Sequence, residues 1–317
     1  MIFAITGGTG FIGQKLVKQL VDDGHEVRVL SRKNTINTGG ELYRGNLLTL
    51  NVLQSFVANV DVLFNCAGEI RDVTVMRSIH VDGTINLLDA VIKEAHRTGK
   101  RIHWVQLSSV GAYGPPSCVP NLERIITETS PNSPVGEYES TKTDADKLIV
   151  EACACNSISY SILRPSNVIG ECMPNQSLRS LIRMVRRGLY FYVGRPGAIA
   201  NYVHVTDVVS ALLKCAFVPA AKGEIYNLSS DCLLEDIVQQ ISKTLGVRQP
   251  WLRVQERSIR IMVDLVGKRI PIPLTHSRID ALVMRTHYPA DKIISELGYV
   301  FSKPMPAGVD GLVRECF

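Results

Sequence analysis

A tyrosine and a lysine four residues apart on a helix put a phenol and an ammonium on one face. Such a pair can pass a proton if the cation draws the phenol's pKa down from about 10. The chain of 317 residues holds three of them: Tyr138 with Lys142, Tyr288 with Lys292, and Tyr299 with Lys303. Spacing alone does not choose among them. Tyr288 is followed by Pro289, and both later pairs lie far beyond the strand and helix alternation of the first half. Tyr138 falls between one β-branched run that leads into Ser108-Ser109 and another that ends at Arg164-Pro165. Lys142 is therefore expected to bring Tyr138 toward the working range of a proton carrier. Ser109 offers a hydroxyl that can hydrogen-bond a substrate carbonyl, with Ser108 beside it; the same two serines also read as a capped turn.

A second constellation lies at the start. Thr6-Gly7-Gly8-Thr9-Gly10-Phe11-Ile12-Gly13 directly follows the apolar run Ile2 to Ile5 and opens a helix-patterned stretch. Gly7 permits a tight turn, Gly10 lets the backbone approach a pyrophosphate, and Gly13 allows close helix packing, while first-turn amides through Phe11 and Ile12 hold the anion. The position after a strand and before a helix is what makes this a dinucleotide cradle. The second run, Val27 to Leu30, ends at Ser31-Arg32-Lys33, with no acid to grip the ribose hydroxyls of NAD. A hydroxyl and two cations suit a 2′-phosphate, which points to NADP, with NAD possible; a solvated basic loop is the other reading. Asn46-Leu47 is expected to border the adenine, and Cys66-Ala67-Gly68 to run beneath the ribose and pyrophosphate. An oxidised nicotinamide would add its charge to that of Lys142 in favouring the Tyr138 phenolate.

The elements that must position these groups are legible in outline. Strand runs at Ile2 to Ile5, Glu26 to Leu30, Asp61 to Asn65, Ile102 to Leu107 and Ser159 to Leu163 alternate with stripes such as Ile12, Leu16, Leu20 and Ile85, Leu88, Val91, Ile92. This predicts an α/β fold, a Rossmann-like doubly wound parallel sheet, with a smaller C-terminal substrate-binding α/β lobe. The dinucleotide domain is expected over 1–165, with part of 196–230 returning to it, and a discontinuous substrate lobe over 166–317. Ser258 to Pro273 mixes basic and apolar residues and reads as an amphipathic lid or oligomer helix, ended by Pro271 and Pro273; a membrane-surface helix is the lesser reading.

Composition narrows the class. The net charge of +5 is spread along the chain, which argues against nucleic acid. No run is long and apolar enough to span a bilayer, and Met1 to Ile5 reads as a strand, not a leader, so a cytoplasmic enzyme is expected. Cys66, Cys118, Cys153, Cys155, Cys172, Cys215, Cys232 and Cys316 lack metal-ligand spacing and read as free thiols; no metal is expected.

Taken together, Thr6 to Gly13, Ser108-Ser109-Val110-Gly111-Ala112-Tyr113-Gly114, Tyr138-Glu139-Ser140-Thr141-Lys142 and Leu163-Arg164-Pro165-Ser166-Asn167-Val168-Ile169-Gly170 resemble the extended short-chain dehydrogenase/reductases. Tyr202-Val203-His204-Val205-Thr206-Asp207, Tyr226-Asn227-Leu228 and Glu296-Leu297-Gly298-Tyr299 are similar to that family's C-terminal half. Within it the chain is most similar to nucleotide-sugar epimerases, dehydratases and 4-keto-sugar reductases. The resemblance implies Tyr138 as acid/base, Lys142 also on the nicotinamide ribose, Ser109 at the substrate oxygen, Pro165 and Val168 along the cofactor, and Asn167 near the nucleotide diphosphate.

Departures from the family narrow the chemistry. Its 4,6-dehydratases carry an Asp-Glu pair where this chain has Val110 and Gly111, which disfavours dehydration and leaves 4-keto reduction or 4-epimerization. His80 stands where asparagine is usual, in His80-Val81-Asp82-Gly83-Thr84; beside the nicotinamide pocket it adds a titrating group, or it is a structural helix-end histidine. Ala200 replaces an arginine that often binds the diphosphate, with Arg195 close enough in sequence to substitute. The expected substrate is a nucleotide-linked deoxysugar. A dehydrogenase of apolar alcohols such as sterols is an alternative, as is a non-catalytic NADP-sensing protein. A homodimer paired through helices beginning near Val73 and Glu137 is implied as well.

Overall fold

The computed structural model describes residues 1–35, 37, 39–115, 122–174, 176–266 and 275–316. Cys118, Pro271 and Pro273 lie outside them. The strands through residue 228 are β1 (Ile2–Thr6), β2 (Glu26–Ser31), β3 (Glu41–Arg44), β4 (Val62–Asn65), β5 (Ile102–Leu107), β6 (Arg124–Ile125), β7 (Ile158–Pro165), β8 (Asn167–Ile169), β9 (Tyr192–Val193), β10 (Ile199–Ala200), β11 (Tyr202–His204) and β12 (Glu224–Leu228), and three two-residue strands follow among the described residues. Seven of them form one sheet in the order β12-β7-β5-β4-β1-β2-β3, and every ladder in it is parallel. The chain runs outward one way from β1 through β2 and β3, and the other way from β4. The carboxyl ends of β1 and β4 therefore flank the crevice where a doubly wound sheet takes its ligand.

Parallel strands must be covered on both faces, and β4 and β5 are buried along their whole length. One face carries α1 (Gly13–Asp22) through Leu16, Val17 and Leu20, and α7 (Val205–Phe217) through Val208 and Leu212. The other carries α2 (Leu50–Phe56), α4 (Gly83–Thr98) and α5 (Glu137–Cys155), with Phe56, Leu87, Val91 and Ile149 packed beneath them. Ahead of α4, the short helix α3 (Val73–Arg77) runs on through a π-helical turn at Ser78–Asp82, so the helical path from Val73 to Thr98 is continuous. A separate core joins α6 (Ser177–Arg186) to α8 (Leu234–Leu245) through Ile182, Val185, Ile237 and Ile241. The basic and apolar stretch after Ser258 contributes α9 (Glu256–Val266), which buries Ile259 and leaves Ile261, Met262 and Leu265 exposed.

All five expected strand runs are present, each within two residues of its predicted ends. β3 and β12 were not among the five strand runs, although β12 lies in the 196–230 stretch expected to return in part to the dinucleotide domain. Glu41-Leu42-Tyr43-Arg44 is a short edge strand with no β-branched residue, and its strand character comes from the ladder to β2. At the other edge β12 pairs with β7 across a long connection and brings residues of the second half back to the sheet.

Two buried carboxylates tie distant segments together. Asp207, in the first turn of α7, accepts from the Ser302 amide at 2.7 Å, its hydroxyl at 2.8 Å and the Lys303 amide at 3.1 Å. Asp146 of α5 pairs with Arg164 of β7 at 3.1 Å, and both side chains are 3 % exposed. The guanidinium also donates to Asn132 at 3.0 Å and lies over the Tyr113 ring. Removing one partner of such a pair strands the other charge in the interior. Asp146→Ala is therefore expected to lower stability by about 3–5 kcal/mol in urea unfolding. A loss below about 1 kcal/mol would mean that water reaches Arg164.

Candidate active site

Because the main ladders are all parallel, the segments that follow β1, β2, β3, β4, β5 and β7 emerge at one edge of the sheet. The glycine loop, Ser31 to Lys33, Asn46-Leu47, Cys66 to Gly68, Ser108-Ser109 and Pro165 are those segments, so the topology gathers them at that edge. Asn167 and Val168 follow on β8, which pairs with β11.

The glycine loop has the shape an anion cradle needs. Gly7 has φ +67°, and a Cβ there would lie 2.5 Å from the carbonyl oxygen of Cys66. A Cβ on Gly13 would lie 2.2 Å from the Gly7 oxygen, whereas one on Gly10 would meet only that oxygen, at 3.2 Å. The tight turn and the close packing of α1 thus require glycine at 7 and 13, and Gly10 leaves the approach open. Ile12 at the N-cap makes no side-chain cap, and the Gln14 and Lys15 amides bond to the Gly10 and Ile12 carbonyls, so the amides that can meet a phosphate are those of Phe11 and Ile12 ahead of them. The donor set fits a pyrophosphate.

At the end of β2, Ser31 is buried and its hydroxyl accepts from the Lys33 amide at 3.1 Å, while Arg32 and Lys33 are exposed. The register of β2 with β3 sets Arg44 opposite Ser31 and adds a third cation that the sequence did not reveal. Asn46 is exposed and caps its own turn through Leu48 and Thr49. Leu47 is buried where a Cβ on Gly83 would strike it.

Tyr138 and Lys142 lie on α5, one turn apart, and Asp146 follows one turn later on the same face. Lys142 is 5 % exposed, and its Nζ donates to the carbonyls of Ala67, after β4, and Leu107, at the end of β5. Burial holds its pKa below the usual lysine value, opposed by Asp146 and Cys66. Tyr138 in the ligand-free chain lacks the nicotinamide charge that the sequence expectation includes. Burial pushes its phenol up to about 12, and the Glu139 and Asp146 carboxylates add to this. Without a ligand Lys142 faces the carbonyls and the phenol stays protonated.

Ser109 is extended and its Oγ accepts from the Gly111 amide at 3.1 Å, so the capped-turn reading describes its conformation here. A Cβ on Gly111 would lie 2.7 Å from Cγ of Glu139, so Gly111 makes room for that side chain. Ser108 does not present its hydroxyl to a substrate. It is buried and donates to Asp146 at 2.7 Å, inside the Arg164 pair.

His80 is buried in the π-helical turn, with Nδ1 2.7 Å from Thr141 Oγ1 and Nε2 accepting from the Glu69 amide at 2.9 Å. Burial and the Lys142 ammonium depress its pKa to about 3, which corrects the expectation of a titrating imidazole at working pH. Asn167 is exposed on β8 and donates to the Asn201 carbonyl at 3.2 Å. Ala200 is buried in β10, and Arg195 is exposed in the turn between β9 and β10. The other two Tyr-x-x-x-Lys pairs have structural partners: Lys292 binds Glu224 and the Ile225 carbonyl, and Tyr299 binds the Asp207 carbonyl.

Asp146, Thr141 and Arg44 escaped sequence reasoning because their partners are distant in the chain. The recurrence of Asp146 four residues after Lys142 was the one available signal. Among the described residues every cysteine is free, no group of three or more His, Cys, Asp or Glu could hold a metal, and no helix is long and apolar enough to cross a membrane.

The chain is similar to known proteins over most of its length. A dTDP-6-deoxy-L-talose 4-dehydrogenase (NAD(P)(+)) of Kitasatospora kifunensis is 29% identical over 228 residues, 67% of this chain and 69% of that protein. Sterol demethylase protein B of Methylococcus capsulatus is 27% identical over 286 residues, 85% of this chain and 83% of that one. The fold matches the crystal structure of UDP-glucose 4-epimerase with UDP-glucose from Thermotoga maritima, with TM-score 0.75, 18% identity and coverage of 99% of this chain and 98% of that one. The model of the NAD dependent epimerase/dehydratase family matches residues 3–229, which include the glycine loop, Ser109, Tyr138 and Lys142. By that match the chain is an enzyme fold of the extended short-chain dehydrogenase/reductase type and belongs to the NAD dependent epimerase/dehydratase family.

Proposed function

We propose that the chain reduces a 4-keto group, or epimerizes C4, on a nucleotide-linked deoxysugar, with Tyr138 as proton carrier. The observation that carries this reading is the convergence of Lys142, one turn from Tyr138 on α5, with the loop after β4 and the end of β5, the former packed against Gly7 of the glycine loop. The dinucleotide, when bound, supplies or accepts the hydride. In the direction of reduction the protonated Tyr138 phenol gives its proton to the carbonyl oxygen, and Ser109 Oγ donates to that oxygen as charge develops on it. Lys142 favours the phenolate that results and holds the nicotinamide ribose. Val110 and Gly111 stand where the family's 4,6-dehydratases carry their Asp-Glu pair, which disfavours water loss.

Arg32, Lys33 and Arg44, with no acid at the end of β2, favour NADP over NAD as the working cofactor. Net reduction by NADPH goes with such a pocket, because an epimerase regenerates its own cofactor. Asn167 and Arg195 are assigned to the nucleotide diphosphate, and Pro165 and Val168 to the cofactor. A cytoplasmic setting goes with this chemistry. A homodimer through α3, α4 and α5 is part of the same reading, since Val73 and Ile85 are exposed on those helices and Val135 just before α5. Sedimentation at micromolar concentration is expected to give a dimer, and a monomer would refute that part.

The test follows heat stability of nucleotide-free protein with NADPH or NADH, alone and with UDP, dTDP or GDP. NADPH is expected to raise the melting temperature more than NADH, and one diphosphate to raise it further. A cofactor response without any diphosphate response would shift the reading to an apolar alcohol, as the sterol-related similarity permits. Tyr138→Phe is expected to keep the NADPH response and to lose about 10²–10⁴-fold in turnover of dTDP-4-keto-6-deoxyglucose. Full turnover by that variant would overturn the assignment.

A further inference from the structure

The π-helical turn at Ser78–Asp82 stands between two ordinary helical segments, and such turns are frequent where a side chain must be aimed. His80, at its centre, is 3 % exposed. Its hydrogen bonds define its protonation. The Glu69 amide can only donate, so Nε2 of His80 accepts and carries no proton. The remaining proton is on Nδ1, which donates to Thr141 Oγ1 at 2.7 Å. The Thr141 hydroxyl in turn donates a hydrogen bond to the Glu137 carbonyl at 2.7 Å. The depressed pKa of about 3 agrees with a neutral ring throughout the physiological range.

The ring also touches the groups assigned to chemistry. Its edge packs against Tyr138, with centroids 5.6 Å apart and planes at 81°. A Cβ on Gly68 would lie 3.4 Å from both His80 Nε2 and Lys142 Nζ, so the imidazole and the ammonium converge on the same backbone. The His80 carbonyl accepts from Thr84 Oγ1 at 2.6 Å, and Thr84 in turn accepts from Asn65 at the end of β4. One residue thus joins the π-turn, the loop after β4 and the first turn of α5.

We propose that His80 is a positioning residue: its neutral imidazole clamps the Gly68-Glu69 loop to Thr141 and fixes the Tyr138 phenol relative to the Lys142 ammonium. The proposal rests on the reading of Tyr138 as proton carrier and adds to it the element that sets the phenol's place. A helix-end histidine with a purely structural part would support α4 without affecting the phenol.

The experiment compares His80→Phe, which keeps a ring edge but neither hydrogen bond, His80→Asn, and Thr141→Val. The readouts are melting temperature, NADPH turnover of dTDP-4-keto-6-deoxyglucose, and the titration of the Tyr138 phenol by ¹³C-tyrosine NMR, its signal assigned by its loss in Tyr138→Phe. In free protein His80→Phe and Thr141→Val are expected to lower the Tyr138 pKa from about 12 toward 10 as water enters. Each is expected to cut kcat at least tenfold with KM changed less than threefold. The double variant should be no worse than the singles, because both break one path. His80→Asn, which keeps an acceptor and a donor, is expected to recover part of kcat. Unchanged kcat and phenol titration, with only a lower melting temperature, would overturn the proposal; Asn and Val variants keep the test alive if the Phe variant does not fold. If Tyr138→Phe retains full turnover, the proposed function fails first, and a Tyr138 titration unmoved by His80→Phe would still count against His80 by itself.

Discussion

One buried positive charge organises the ligand edge of this fold. The Lys142 ammonium has left water almost completely, and a charge in the interior persists only where oxygen atoms replace its hydration. Ala67 and Leu107 supply two carbonyls from the ends of neighbouring strands, and Asp146 one turn along α5 supplies the opposite charge. These contacts bind α5 to β4 and β5 at the point where the chain must also bring Tyr138. The arrangement works only because the ladders are parallel and their ends coincide.

The surrounding polar groups serve that placement. Asp146 is itself buried, and burial drives its carboxyl above the ordinary range while Arg164 opposes the shift. Ser108 and Arg164 share its Oδ2, so β5, α5 and β7 meet on one carboxylate oxygen. The neutral His80 meets the same Gly68 backbone as Lys142. A second cation there would repel the ammonium, and the depressed imidazole pKa expresses that conflict as well as burial.

Much of this was legible in the sequence, for identifiable reasons. Strand runs such as Ile2 to Ile5 are continuous apolar stretches because both faces are covered, and continuity is a local signal. The glycine loop is equally local, since its φ and its close approaches constrain single residues. The Tyr138 pair was separable from two chance matches only by its place between strands. Long-range partners were invisible: nothing near Ser108 announces Asp146, and nothing near Ser31 announces Arg44. That two strand ends bind the Lys142 ammonium was equally invisible, since Ala67 and Leu107 are far from it in the chain. Short edge strands such as β3 owe their conformation to a neighbour, so no pattern within them reveals it.

On the proposed reading Tyr138 is a protonated donor in the free protein, ready as an acid for reduction, and it becomes a base only when an oxidised dinucleotide adds its charge. Following the Tyr138 phenol by pH titration, with and without saturating NADP⁺, tests this most directly. The phenol is expected to titrate at about 12 in the free protein and at least two pH units lower when NADP⁺ binds, as the nicotinamide charge adds to that of Lys142. A phenol that titrates at the same pH in both states, with the dinucleotide bound, would contradict it.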